Sequence, residues 1–251
     1  MTNKDLWIDT RLSQEEMDFL WTVISEENKK DASGTLAGNI SKSELIEDKD
    51  NWFYETVLKK LTERMFYRDW DAYYRYRIEK EESPPEFELN NLWVNYQKQH
   101  EFNPIHGHGG LFSFVVFVKI PTHWKEQYAL PISKNSNSPF ASDFQFVWSE
   151  KDSEGCVEEN FKLCSEDEGR MLFFPATLKH QVYPFYECEE KRITISGNII
   201  FVDPNKPKKQ ELSIDQYEEK KIILKMMENN VEMMKKELEQ VKKERENVGL
   251  D

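Results

Sequence analysis

His106 and His108 stand two residues apart in Asn103-Pro-Ile-His106-Gly-His108-Gly-Gly110, just before the apolar run Leu111-Phe-Ser-Phe-Val-Val-Phe-Val-Lys-Ile120. In extended chain, residues two apart share a face with α-carbons roughly 6.5–7 Å apart, so both imidazoles can reach one metal ion. A third histidine, His180, follows the unit Gly169-Arg-Met-Leu-Phe-Phe-Pro175, and Arg192 lies beyond it. A non-haem Fe(II) centre needs such a donor set: three protein ligands on one face leave positions open for a bidentate oxoacid and dioxygen. Arginine suits the far carboxylate of the oxoacid, because its planar fork donates two charge-assisted bonds where lysine makes a point contact. The competing readings are hydrogen-bonded loop histidines and a structural ion pair at Arg192. His100 and His123 fall outside the pattern and read as surface or hydrogen-bonded residues.

The elements that must hold these residues read as follows. Ser13 with Glu16 three residues on forms a capping box, and Met17, Leu20 and Trp21 follow at helical spacing. Residues 34–43 have loop composition, and Asp48-Lys-Asp50 opens a second helix whose stripe Trp52, Phe53, Val57, Leu58 and Leu61 is suited to a sheet. Ser83-Pro84-Pro85 stops it, since proline lacks a donor and restricts its predecessor. Period-two patterns then predict strands at Phe87–Tyr96 and Arg192–Phe201, Phe144–Trp148 is strand-like, Asn160–Leu163 reads as a further short strand, and Gly169 to Pro175 reads as a turn, a buried strand and a stop. Many short strands joined by polar turns favour an antiparallel barrel or jelly roll over alternating βα units.

The net charge of −13 disfavours a nucleic acid or other polyanion as partner, because like-sign fields repel. Three cysteines without Cys-x-x-Cys spacing suggest neither a disulfide framework nor a zinc ribbon. With no apolar run near the ~20 residues of a membrane span, the expectation is a soluble, cytoplasmic protein. From Asn205 onward the chain carries 11 basic and 11 acidic residues, and Leu224, Met227, Val231, Met234, Leu238 and Val241 alternate steps of three and four. That is coiled-coil register, so residues 214–248 are the candidate for homo-oligomerisation, the alternative being one amphipathic helix lying on the body. Three regions result: a helical support over 1–84, a β core over 85–204 and a charged helical tail over 205–251.

Taken together, Trp93-Val-Asn95-Tyr96, the His106 and His108 stretch, Ser113 to Pro121, Gly169 to Pro175, His180 and Arg192-Ile-Thr-Ile-Ser196-Gly-Asn198 resemble the 2-oxoglutarate/Fe(II)-dependent dioxygenases. Within these, the chain is similar to prolyl-4-hydroxylase-like oxygenases of marine phages and bacteria. The resemblance implies a mainly β fold, a double-stranded β-helix with flanking helices. It implies Fe(II) and 2-oxoglutarate as cofactors, with His106, His108 and His180 as metal ligands, Arg192 on the cosubstrate and Thr194 as its hydroxyl companion. The implied reaction hydroxylates an unactivated C–H bond of an amino-acid residue or small metabolite, with release of succinate and carbon dioxide. Asn95, Tyr96 and Trp148 are candidates to contact substrate, with core packing the alternative for the two aromatics.

Position 108 departs from the family pattern, which has a carboxylate there. Three neutral imidazoles would leave the ion its full positive charge. A second alignment makes His108 the first ligand and puts Gly110 in the carboxylate place, as in two-histidine hydroxylases and halogenases; Glu101 or Asp143 would then be the reserve carboxylates. The alternative function is a non-catalytic jelly-roll assembly module that associates through its tail. Intact His106, His180 and Arg192 count against it, since such a module has no chemical need for all three.

Overall fold

Side-chain alternation along a few long strands decides this architecture. The computed structural model describes residues 6–27, 29–69, 86–150 and 155–202, all within the unit Met1–Val202; the second unit, Asp203–Asp251, lies outside the described residues. Strands β1 (Ile8–Arg11), β2 (Lys30–Asp31), β3 (Ser43–Ile46), β4 (Phe87–Gln97), β6 (Phe112–Lys119), β9 (Arg170–Pro175) and β11 (Arg192–Phe201) form one sheet in the order β1-β9-β6-β11-β4-β3-β2. Strands β5 (Asn103–His106), β7 (Phe144–Ser149), β8 (Cys156–Phe161) and β10 (Lys179–Val182) form a second, ordered β5-β10-β7-β8. Every pairing among these strands is antiparallel. Among the described residues the α-helices are α1 (Gln14–Ser25), α2 (Lys59–Asp69) and α3 (Trp124–Ala129).

One face of the large sheet meets the helices. Phe112, Phe114, Val116 and Val118 of β6, Leu92 and Val94 of β4, and Ile195 and Ile199 of β11 pack with Leu20, Val23, Phe53, Val57, Leu58 and Leu61. Each fully buried side chain of this size contributes roughly 1.5–3 kcal/mol, which is why the helical stripe seeks this face. The alternate residues Val115 and Phe117 of β6 and Leu172 and Phe174 of β9 point the other way, onto Phe144, Phe146 and Phe161 of the small sheet. Strands β4 and β11 place polar residues on that same side, and there the two sheets enclose a cavity rather than a core.

The capping box at Ser13 forms as expected: Glu16 N–H donates to Ser13 Oγ at 3.3 Å and Ser13 N–H to Glu16 Oε2 at 2.7 Å. Asp48 opens the second helix by accepting from the N–H groups of Phe53 and Tyr54, both at 2.8 Å. That helix begins with a π-type turn, Tyr54–Leu58, before α2.

The N-terminal region is not purely helical, because β1 pairs with β9 and β3 with β4. A strand of four residues is too short to display a period, so its sequence carried no strand signal. The Ser83-Pro84-Pro85 stop and the heptad tail of residues 205–251 lie outside the described residues. Among the described residues, no helix is long and apolar enough to cross a membrane.

Candidate metal centre

Antiparallel pairing of β5 with β10 sets His106 directly opposite His180. Past the end of β5, the His108 N–H donates to Ala176 O at 2.7 Å, which turns this third ring back toward the other two. Ring centroids are 4.2 Å apart for His106 and His180, 4.9 Å for His108 and His180, and 5.1 Å for His106 and His108. The three ligand nitrogens lie within 4.8 Å of one another.

Each ring also has its outer nitrogen engaged. His106 Nδ1 is 2.7 Å from Pro104 O, His180 Nδ1 is 3.0 Å from Leu178 O, and His108 Nδ1 is 2.9 Å from Asn198 Oδ1. Carbonyl and carboxamide oxygens only accept, so each Nδ1 carries the proton and each Nε2 keeps its lone pair. Ser113 Oγ donates to the same Asn198 oxygen at 2.5 Å and steadies it. Burial lowers the pKa of His106 and His108 and takes His180 down to about 3, with the neighbouring histidine adding to the effect at His180. All three imidazoles are therefore neutral at pH 7, the form a metal requires.

The rings open onto a cavity of about 300 Å³, in whose lining Arg192 is the single charged side chain among the described residues. Arg192 is 1% exposed. Its Nη2 donates to Ser142 O at 2.8 Å and also to Ser142 Oγ, Nη1 reaches Gln97 Oε1 at 3.5 Å, and its guanidinium lies 5.2 Å from the Phe185 ring centroid. Ser142 sits at φ 75°, a costly conformation for a non-glycine residue; its carbonyl and hydroxyl are thereby both aimed at Arg192. Burial lowers the Arg192 pKa to about 10 against the raising influence of Asp143, so the group stays cationic.

Of the expected site residues, His106, His108, His180, Arg192, Thr194 and Asn95 line one cavity. Asn95 accepts from Ser43 Oγ at 2.7 Å, and its amide stands 3.5 Å from Thr194 Oγ1. Two candidates fall elsewhere. Tyr96 neighbours Asn95 on β4, so alternation turns it to the helix-side core with Lys42 Nζ 4.8 Å over its ring. Trp148 is at the far end of β7, packed edge-on against Trp7 at 5.9 Å.

Gly110, the alternative carboxylate position, has φ +102°, and a Cβ there would come within 2.9 Å of Ile199 O, so the position points into the backbone of β11. Glu101 caps a loop, accepting from Ser41 N–H at 3.0 Å and Lys98 N–H at 2.8 Å. Asp143 is buried beside Arg192 rather than among the histidines. His100 pairs with Tyr186 at 5.2 Å between ring centroids.

His123 forms a second cluster with Cys164 and Glu166. Its Nδ1 accepts from Lys125 N–H at 3.1 Å as the cap of α3, however, which puts the neutral ring's proton on Nε2. The site residues that sequence did not single out are Gln97 and Ser142, while Asn198 and the loop from Leu36 stand in stretches that carry the family resemblance but were given no role. The period of β4 could have found Gln97, but nothing local marks Ser142.

The fold and the three rings define a double-sheet protein with a mononuclear, all-imidazole candidate metal site. Residues 91–198, the stretch from β4 to β11 that carries every one of these side chains except the loop, match the family described as "Putative 2OG-Fe(II) oxygenase". That stretch is a 2OG-Fe(II) oxygenase domain, so the protein is an enzyme whose cofactors are Fe(II) and 2-oxoglutarate. No curated protein matches the chain.

Among solved structures, it is similar to an oxidoreductase of the 2OG-Fe(II) oxygenase family from Burkholderia pseudomallei, at 11% identity over 78% of this chain and 86% of that one, TM-score 0.44. It is also similar to a Pseudomonas putida prolyl-4-hydroxylase, at 12% identity over 79% and 94%, TM-score 0.45. A third is the non-heme alpha ketoglutarate dependent epimerase SnoN from nogalamycin biosynthesis, at 13% identity over 78% and 79%, TM-score 0.41.

Proposed function

We propose that this oxygenase holds Fe(II) through His106, His108 and His180, binds the far carboxylate of 2-oxoglutarate at Arg192 with Thr194 beside it, and hydroxylates a C–H bond of an amino-acid residue or small metabolite. The observation that carries this is the convergence of three neutral imidazoles, each with its Nδ1 already engaged, on a cavity lined by the cation Arg192. Bound there, iron and the oxoacid would supply the oxidative decarboxylation to succinate that activates dioxygen. Three imidazole donors leave the remaining positions to the oxoacid and dioxygen, and no protein ligand position is left for halide, which favours hydroxylation.

The residues divide the labour. The carbonyls of Pro104 and Leu178 and the carboxamide of Asn198 orient the rings. Ser142 holds the guanidinium of Arg192. Phe117, Phe144, Phe174 and Val182 line the cavity with apolar surface that excludes water from the reacting centre. Thr35, Leu36, Gly38, Asn91, Trp93 and Asn103 form a charge-free part of the wall, which suits a substrate that is neutral where it enters.

Anaerobic titration of the Fe(II)-loaded protein with 2-oxoglutarate, followed by succinate measurement in air, tests the reading. Binding with turnover is expected; protein that neither binds nor consumes the oxoacid would end it. Self-association through residues 214–248 is a separate proposal that rests on heptad spacing alone. The same number of subunits per particle for the full chain and for one ending at Pro204 would remove it.

A further inference from the structure

Asp143, wholly buried, is the residue the proposed chemistry leaves unused. Its Oδ2 accepts the Tyr128 hydroxyl, and its Oδ1, also buried, has no partner. Arg192 carries the matching deficit, since its Nε is buried without an acceptor while its Nη2 is held by Ser142, the residue next to Asp143. A buried carboxyl and a buried guanidinium thus flank Ser142, each with an unanswered atom and each within the other's electrostatic influence, and of the two residues it is Arg192 that lines the cavity.

We propose that Asp143 is a positioning residue for cosubstrate binding: its carboxyl must be protonated for Arg192 to present a full positive charge to the remote carboxylate of 2-oxoglutarate. The inference rests on the reading of Arg192 given above. With Asp143 ionised, its charge cancels that of Arg192 inside a low-dielectric wall, and a second carboxylate arriving there meets a neutral pair. With Asp143 neutral, the incoming carboxylate is the only anion. Binding of the dianion is thereby coupled to uptake of one proton.

The titratable or charged groups that face Asp143 are Tyr128 from α3, Arg192 from β11, Lys162 just beyond β8 and Tyr183 just beyond β10. Burial is the strongest influence and pushes the carboxyl up to about 7, although the Tyr128 bond, Arg192 and Lys162 all favour the charged form. The tyrosines are raised by burial and by the Asp143 charge, so Asp143 is the group that changes state near neutral pH.

The experiment is calorimetric titration of 2-oxoglutarate into the full chain saturated with Mn(II), which binds the oxoacid without turnover, between pH 6.5 and 9. The expected Kd rises with pH, approaching tenfold per unit at the alkaline end, and buffers of different ionisation enthalpy report the uptake of a proton. Asp143→Asn should give a Kd that is flat with pH and close to the low-pH limit of the unmodified protein. Tyr128→Phe removes a bond that favours the charged carboxylate, so the rise should begin at higher pH; this variant keeps the test available if Asp143→Asn does not fold. A flat profile for the unmodified protein, or an unchanged slope in Asp143→Asn, overturns the inference. Absence of oxoacid binding at every pH would instead overturn the assignment of Arg192.

Discussion

Around His106, His108 and His180 each Nδ1 has an oxygen within 3.0 Å, whereas Arg192 Nε, at the other end of the same cavity, and Asp143 Oδ1, outside its lining, are buried with none. The metal end is built from two backbone carbonyls and one carboxamide, so its geometry is fixed once β5 pairs with β10 in one sheet and β11 takes its place between β4 and β6 in the other. The arginine end leaves the Arg192 Nε donor unanswered at a cost of about 1–3 kcal/mol, and a carboxylate is the ligand that an open guanidinium donor takes. One end is organised before its ligand arrives, and the other is completed by it.

The largest effect is expected at the metal end. His180→Ala removes the most buried ring of the three, and Fe(II) affinity should fall by more than the roughly 10–100-fold typical of an outer-shell change, with loss of succinate formation. Anaerobic iron titration checks it, and unchanged affinity would show that His180 is not a ligand. Next comes Arg192→Lys, which keeps the charge and loses the fork held by Ser142. The Kd for 2-oxoglutarate should rise by about 10²-fold, as for a buried charge pair deprived of its geometry, while iron affinity stays within about twofold. A parallel fall in iron affinity would break the contrast between the two ends.

Asn198→Ala sharpens the comparison, because Asn198 is the one outer-shell partner of the rings that is a side chain. Removing it frees His108 to rotate and to change tautomer. Iron affinity should fall by roughly 10–100-fold, and oxoacid affinity at saturating metal should change little. Asn198→Asp restores an acceptor and should recover much of the loss; no recovery would mean that Asn198 acts through packing alone.

What could be read in the sequence follows from the range of each signal. The His106 and His108 pair, His180 and Arg192 announce their chemistry by residue type, and the fold brings all four to one cavity. The long strands β4 and β11 were visible as period-two runs, and the same period forbids Asn95 and Tyr96 from sharing a face, which is why Tyr96 lies on the helix side. Trp148 obeys the period yet sits too far along β7 to reach the cavity, a matter of strand length that alternation does not encode. Ser142 and Asp143 come to Arg192 by long-range pairing across residues of no distinctive type.

The smallest effect on metal binding, and the sharpest on the competing ligand assignment, is expected at Gly110. If that position faced the ion in a carboxylate's place, Gly110→Asp would complete a two-histidine, one-carboxylate set and tighten Fe(II) binding. Here a Cβ would meet Ile199 O at 2.9 Å and Ile200 Cγ2 at 3.3 Å, at a φ of +102° that L-residues rarely adopt. A side chain must push against β11, the strand that carries Arg192, Thr194 and Asn198. The expected result is a stability loss of about 1–3 kcal/mol, seen as a lower midpoint in urea, with no gain in iron affinity once the folded fraction is accounted for. Tighter iron binding by Gly110→Asp would make His108, the ring that Asn198 orients, the first ligand, put position 110 in the carboxylate place and remove His106 from the set.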